Sequence, residues 1–150
     1  MIEAAVGRSG ELFESGWYCA ESVLIAVSEE LGVECELIPR MATGFGSGLA
    51  RTGGLCGALS GAILALGIAS GRDRAEDSID PAYALVRAVL ARFDEQYGAT
   101  TCLGLTGCDL GIDARQRRYR EIGQHARCVE YVRGATRAVL DALSEEGDRR

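Results

Sequence analysis

Residues 53–71 read Gly53-Gly54-Leu55-Cys56-Gly57-Ala58-Leu59-Ser60-Gly61-Ala62-Ile63-Leu64-Ala65-Leu66-Gly67-Ile68-Ala69-Ser70-Gly71, and they decide the fold. These 19 residues carry no charge, and Arg51 and Arg72 bracket them. About 20 apolar residues suffice to cross a bilayer. Here six glycines and two serines dilute the run, and the other predicted helices are amphipathic. The run is therefore expected to be a helix buried at the centre of a bundle, not a membrane span. Gly53, Gly57, Gly61, Ala65 and Ala69 recur every four residues. Such a stripe of small side chains lets a neighbouring backbone approach closely, as in membrane helix pairs. It also offers a face for helix docking or homodimerisation.

On either side, apolar residues return at helical steps. Residues 2–15 carry Ile2, Val6, Leu12 and Phe13, and residues 18–32 carry Val23, Leu24, Val27 and Leu31, with Gly32 as a stop. Glu34 to Thr43 is expected as a short helix with Pro39 in its first turn, and Gly44 to Gly48 as a loop. Asp80 is expected to cap a helix over 82–97 that Pro81 opens and Gly98 ends. Thr100 or Thr101 caps a short turn carrying Cys102, and residues 113–122 form an Arg-rich polar helix. A last helix runs from near Arg127 to about Ser144, leaving 145–150 as a frayed tail. No repeat, linker or strand-period segment is visible. The expected fold is all-α, one domain over residues 1–150, with about five to seven helices around the Gly/Ala-rich central one.

Composition narrows the chemistry. All 16 basic residues are arginine, so Schiff-base chemistry, a P-loop lysine and a lysine base are absent. A single histidine, His125, excludes His-rich metal sites. The net charge of −6 and a pI near 4.9 repel phosphate backbones, so nucleic acid is not an expected partner. Gly44-Phe45-Gly46-Ser47-Gly48 brushes a dinucleotide fingerprint, but residue 49 is leucine and no strand precedes it, so no nucleotide is expected.

The six cysteines are Cys19, Cys35, Cys56, Cys102, Cys108 and Cys128. Met1-Ile2-Glu3-Ala4 has neither a basic start nor an apolar run, so no export signal is expected. The thiols then read as reduced and the location as cytoplasmic. Cys19, Cys56, Cys102 and Cys128 each fall in the first turn of a predicted helix. Backbone N–H groups and the helix dipole favour thiolate there. Separations of 37, 46 and 26 residues, with no C-x-x-C, exclude local zinc-ribbon and ferredoxin motifs. A shared site has to be assembled by the fold. Buried structural thiols are the plain alternative. His125 reads as exposed or capping, the arginines at 115, 117, 118 and 120 as a solvated face or a dock for an acidic redox partner, and Trp17, Tyr18, Phe45 and Tyr97 as core.

The segment Gly44-Phe45-Gly46-Ser47-Gly48 followed by Gly53-Gly54-Leu55-Cys56-Gly57-Ala58-Leu59-Ser60-Gly61 resembles the signature of the C_GCAxxG_C_C family of redox-active proteins. Tyr18-Cys19-Ala20-Glu21 resembles its upstream cysteine segment, and Cys102-Leu103-Gly104-Leu105-Thr106-Gly107-Cys108 and Cys128-Val129-Glu130-Tyr131 its downstream ones. The resemblance covers roughly residues 2–145. It implies a prosthetic group such as an iron–sulfur cluster, and a gene neighbourhood of transporters or oxidoreductases. Split-Soret cytochromes c hold a similar module beside a haem-binding part. The family's four defining cysteines correspond to Cys19, Cys56, Cys102 and Cys128, with Cys108 where many members also have cysteine. Cys35 is a bystander. Val129 departs from the proline of many relatives, and only the helix start is expected to feel it. Covalent haem is excluded, because no C-x-x-C-H occurs.

Three functions compete on this reading. The first is electron transfer or cluster carriage for a partner oxidoreductase or transporter-associated protein. Its ligands would be Cys19, Cys56, Cys102 and Cys128, with Cys108 as a further cofactor contact, and zinc is the other metal that four thiolates accept. The second is a metal-free dithiol/disulfide oxidoreductase with Cys56 as nucleophile. The third is a non-catalytic helical interaction module with structural cysteines.

Overall fold

The uncharged run becomes a helix, α4 (Gly57–Ser70), packed against neighbours on several sides. This computed structural model describes residues 1–149, the side chain of Glu121 apart. The fold is all-α, with eight helices among the described residues. The other seven are α1 (Ile2–Glu14), α2 (Cys19–Glu30), α3 (Gly46–Arg51), α5 (Asp80–Tyr97), α6 (Cys102–Thr106), α7 (Asp113–Glu121) and α8 (Gln124–Asp148), with a 3-10 turn at Arg40–Phe45. The count exceeds the expected five to seven because α3 and α6 are single turns. In α3, Ser47 to Ala50 lie in the left-handed region, φ 53° to 67°. Among the described residues, no helix is long and apolar enough to cross a membrane.

Long helices α1, α2, α4, α5 and α8 form the bundle. Val23, Leu24 and Val27 of α2, Leu59 and Leu66 of α4, Val89 and Phe93 of α5, and Val132 and Val139 of α8 are fully buried. Burial of each such side chain contributes roughly 1.5–3 kcal/mol. The small-residue stripe works over its middle only. Gly57, Gly61 and Ala65 are buried, whereas Gly53 precedes the helix and Ala69 is exposed. At Gly61 a methyl would run into the Ala20 carbonyl, so glycine sets how closely α4 approaches α2. Glu3 of α1 accepts two hydrogen bonds from Arg137 of α8, at 2.6 and 2.9 Å.

Several boundaries differ from expectation. Residues 34–39 are not helical, and the Ile38–Pro39 bond is cis. Proline offers no N–H and pushes the residue before it out of the helical region, so the helical turn begins only at Arg40. Asp80 is the first residue of α5 and not its cap, which is Ile79; its N–H donates to Ser78 Oγ at 3.1 Å. Thr101 does cap α6, accepting from the Gly104 N–H at 3.0 Å. The last helix starts three residues before the expected point and runs on to Asp148, where Glu145 pairs with Arg92. Residues 145–148 are thus helical and not frayed; Arg150 lies outside the described residues. Trp17 and Tyr18 are exposed, not core.

Candidate functional site

Helix starts bring three sulfurs toward one place. Cys19 is the first residue of α2, whose opening is secured by the Tyr18 N–H donating to Glu21 Oε1 at 3.3 Å. Cys56 is the N-cap of α4; its side chain makes no cap hydrogen bond, but the nearby N–H groups of Ala58 and Leu59 favour its ionised form. Cys102 opens α6. The Cys56 N–H donates to the Thr100 carbonyl at 2.8 Å, and the Cys102 N–H to the Gly54 carbonyl at 2.7 Å. These two bonds flank an isolated antiparallel bridge between Leu55 and Thr101. Glycines leave the room: a methyl on Gly57 would strike the Cys19 sulfur, and one on Gly48 the Cys102 side chain.

Cys128 arrives differently. Because α8 begins at Gln124, Cys128 sits in its second turn and not at its start. Val129 explains the extension. A proline there would lack the N–H that bonds back one turn and would crowd that turn's carbonyl. The Tyr119 hydroxyl of α7 instead stands beside the Cys128 sulfur and favours its ionised form.

All four side chains line one cavity of about 340 Å³. That is the lower end of the roughly 300–1,000 Å³ usual for small-molecule sites. Cys108 is buried beside this cavity without lining it, its N–H bonded to Thr106 Oγ1 at 3.1 Å. Cys35 is exposed and takes no part. All six cysteines are free. Among the described residues, no group of three or more His, Cys, Asp or Glu side chains is arranged to hold a metal ion.

The thiols are not poised as thiolates. Burial pushes Cys102 up to about 11 and Cys128 up to about 12, with neighbouring sulfurs adding to the rise. Burial also raises Cys19 and Cys56. For Cys19 the N–H groups of Ser47, Ala20 and Cys19 itself pull the other way, and for Cys56 those of Ala58 and Leu59. The expected stabilisation at helix starts is therefore real in direction but smaller than the cost of desolvation.

The rest of the wall was largely hidden in the sequence. Tyr119 stands in a helix that reads as a solvated arginine face, yet it is half-buried, lines the cavity and acts on the Cys128 thiol. Gln116 and Arg120 share its wall, whereas Arg115, Arg117 and Arg118 do not reach the cavity. His125 is exposed, as expected, but it lines the cavity and stacks on Phe13 with ring centroids 4.7 Å apart. Trp17 and Tyr18 also line it. A helical period with i, i+3 spacing of Gln116 and Tyr119 was the available signal.

A helical protein whose cysteines, scattered in sequence, gather round one cavity is the class this geometry defines. The chain belongs to the C_GCAxxG_C_C family, described as "Putative redox-active protein (C_GCAxxG_C_C)", which it matches over residues 17–142. A relative from Archaeoglobus fulgidus, named "Uncharacterized protein", is 30% identical over 154 aligned positions, which cover 96% of each chain. No solved structure matches the chain.

Proposed function

We propose that the cavity is a redox site and that Cys19, Cys56, Cys102 and Cys128 hold an iron–sulfur cluster in it, for electron transfer or cluster carriage to a partner oxidoreductase. The observation that carries this is that four thiols from distant parts of the chain line one cavity. A polynuclear cluster with one cysteine on each iron needs sulfurs spread around it, whereas tetrahedral zinc needs them drawn to about 2.3 Å from one atom. The donor set fits: sulfur is the ligand such clusters take, and Gly57 leaves the Cys19 sulfur unobstructed. When bound, the cluster supplies one-electron chemistry. The chain's own part is to bind the group, exclude water and direct backbone N–H groups at two of the sulfurs, which tunes the potential. Burial favours protonated thiols at neutral pH, which suits ligands that ionise on metal uptake. It weighs against Cys56 as a metal-free dithiol nucleophile, which needs a thiolate.

Anaerobic purification followed by iron–sulfide reconstitution tests the reading. The expected product is brown, with iron and acid-labile sulfide, and Cys→Ser at any of the four positions lowers the content while Cys35→Ser does not. Colourless protein after reconstitution overturns it, as does one zinc per chain with no iron.

A further inference from the structure

The same cavity has a second chemical character. The chain carries 22 acidic residues, yet none of the described acidic side chains lines the cavity, while Arg51, Arg120 and His125 do. Arg51 and Arg120 are exposed and form no ion pair among the described residues. Asp109, in the loop before α7, is turned to its own turn, accepting from the Gly111 N–H at 3.0 Å. Gln116 is likewise occupied, with the Leu110 carbonyl. A molecule of net charge −6 thus presents two unneutralised guanidinium groups and a histidine at one opening. Guanidinium groups are forked donors matched to oxyanions, and a concave, partly dry wall strengthens that attraction.

We propose that the outer part of the cavity binds a small oxyanion, held by Arg51 and Arg120 next to the thiol-lined interior. The inference rests on the redox reading only for what the anion does there, since the binding itself belongs to the arginines. Trp17, the single tryptophan, lines the cavity and reports on it.

The test follows Trp17 fluorescence of the reduced, metal-free protein during titration with thiosulfate and with sulfate, against sodium chloride at matched ionic strength. A saturable change with either oxyanion is expected, and none with chloride. Arg51→Gln and Arg120→Gln each weaken binding about tenfold, the loss of a charge-assisted contact. Arg117→Gln, on α7 but outside the wall, leaves it unchanged. No saturable response, or equal affinity in wild type, Arg51→Gln and Arg120→Gln with circular dichroism unaltered, overturns the proposal. Iron analysis on the same preparations separates the two readings: anion binding without cluster assembly sinks the cluster alone, and assembly without anion binding sinks this site alone.

Discussion

Cys56 and Cys128 face the same cavity from walls of different construction. The Cys56 wall is α4 pressed on α2 at glycine positions, with Leu24 and Leu59 fully buried behind it. The Cys128 wall is α7 with the opening turns of α8, where Val129 is buried in the core and polar contacts join the turns. Tyr119 stands beside the Cys128 sulfur, and Gln124 Nε2 donates to the Thr106 carbonyl at 3.2 Å. One wall is fixed by volume throughout, and the other in part by polar contacts. Volume admits few substitutions, whereas each hydrogen bond is worth only about 0.5–1.5 kcal/mol.

The sharpest way to break this contrast is to overpack the first wall. Gly61→Ala forces a methyl against the Ala20 carbonyl and is expected to cost about 1–3 kcal/mol by urea unfolding. Gln124→Ala on the second wall, which removes the bond to the Thr106 carbonyl, should cost about 0.5–1.5 kcal/mol. Equal losses would mean the walls are not different in kind.

Raising the pH tests both walls together. The thiol pKa values are higher folded than unfolded, so the folded chain keeps protons that the unfolded chain sheds. Stability of the reduced, metal-free protein is therefore full below about pH 9 and falls as pH climbs toward the values near 11 and 12 of Cys102 and Cys128. Chemical denaturation at stepped pH reads this directly; a flat profile would contradict it. Under the cluster reading, metal uptake releases protons and tightens with pH, and the loaded protein loses the alkaline decline.

The smallest effect belongs to Tyr119→Phe. It removes the hydroxyl beside Cys128, changes stability by no more than about 1 kcal/mol, and leaves the Cys128 thiol harder to ionise. Thiolate absorbance during alkaline titration reports that shift. An unchanged titration would show that the hydroxyl does not govern this sulfur.

The all-α class was legible because Val23, Leu24 and Val27, or Leu85, Val89 and Phe93, recur at the period of a helix and are buried accordingly. The gathering of the cysteines was not legible in spacing, and the family resemblance pointed to it. The start of α8 was obscured by polar residues around Gly123, a glycine that reads as a breaker and serves as the left-handed cap. Tyr119 was masked by its arginine neighbours. Trp17 and Tyr18 read as core because an aromatic side chain at a cavity's edge has the same letter as one in its floor.

The bridge between Leu55 and Thr101 has a consequence for inheritance. Main-chain atoms do the joining, so the pairing of residues 54–56 with 100–102 survives exchange of most of their side chains. Two sulfurs 46 positions apart are thereby tied as tightly as neighbours in a short loop. The exposed connector over residues 71–79 is free to drift in sequence while the pair stays in register.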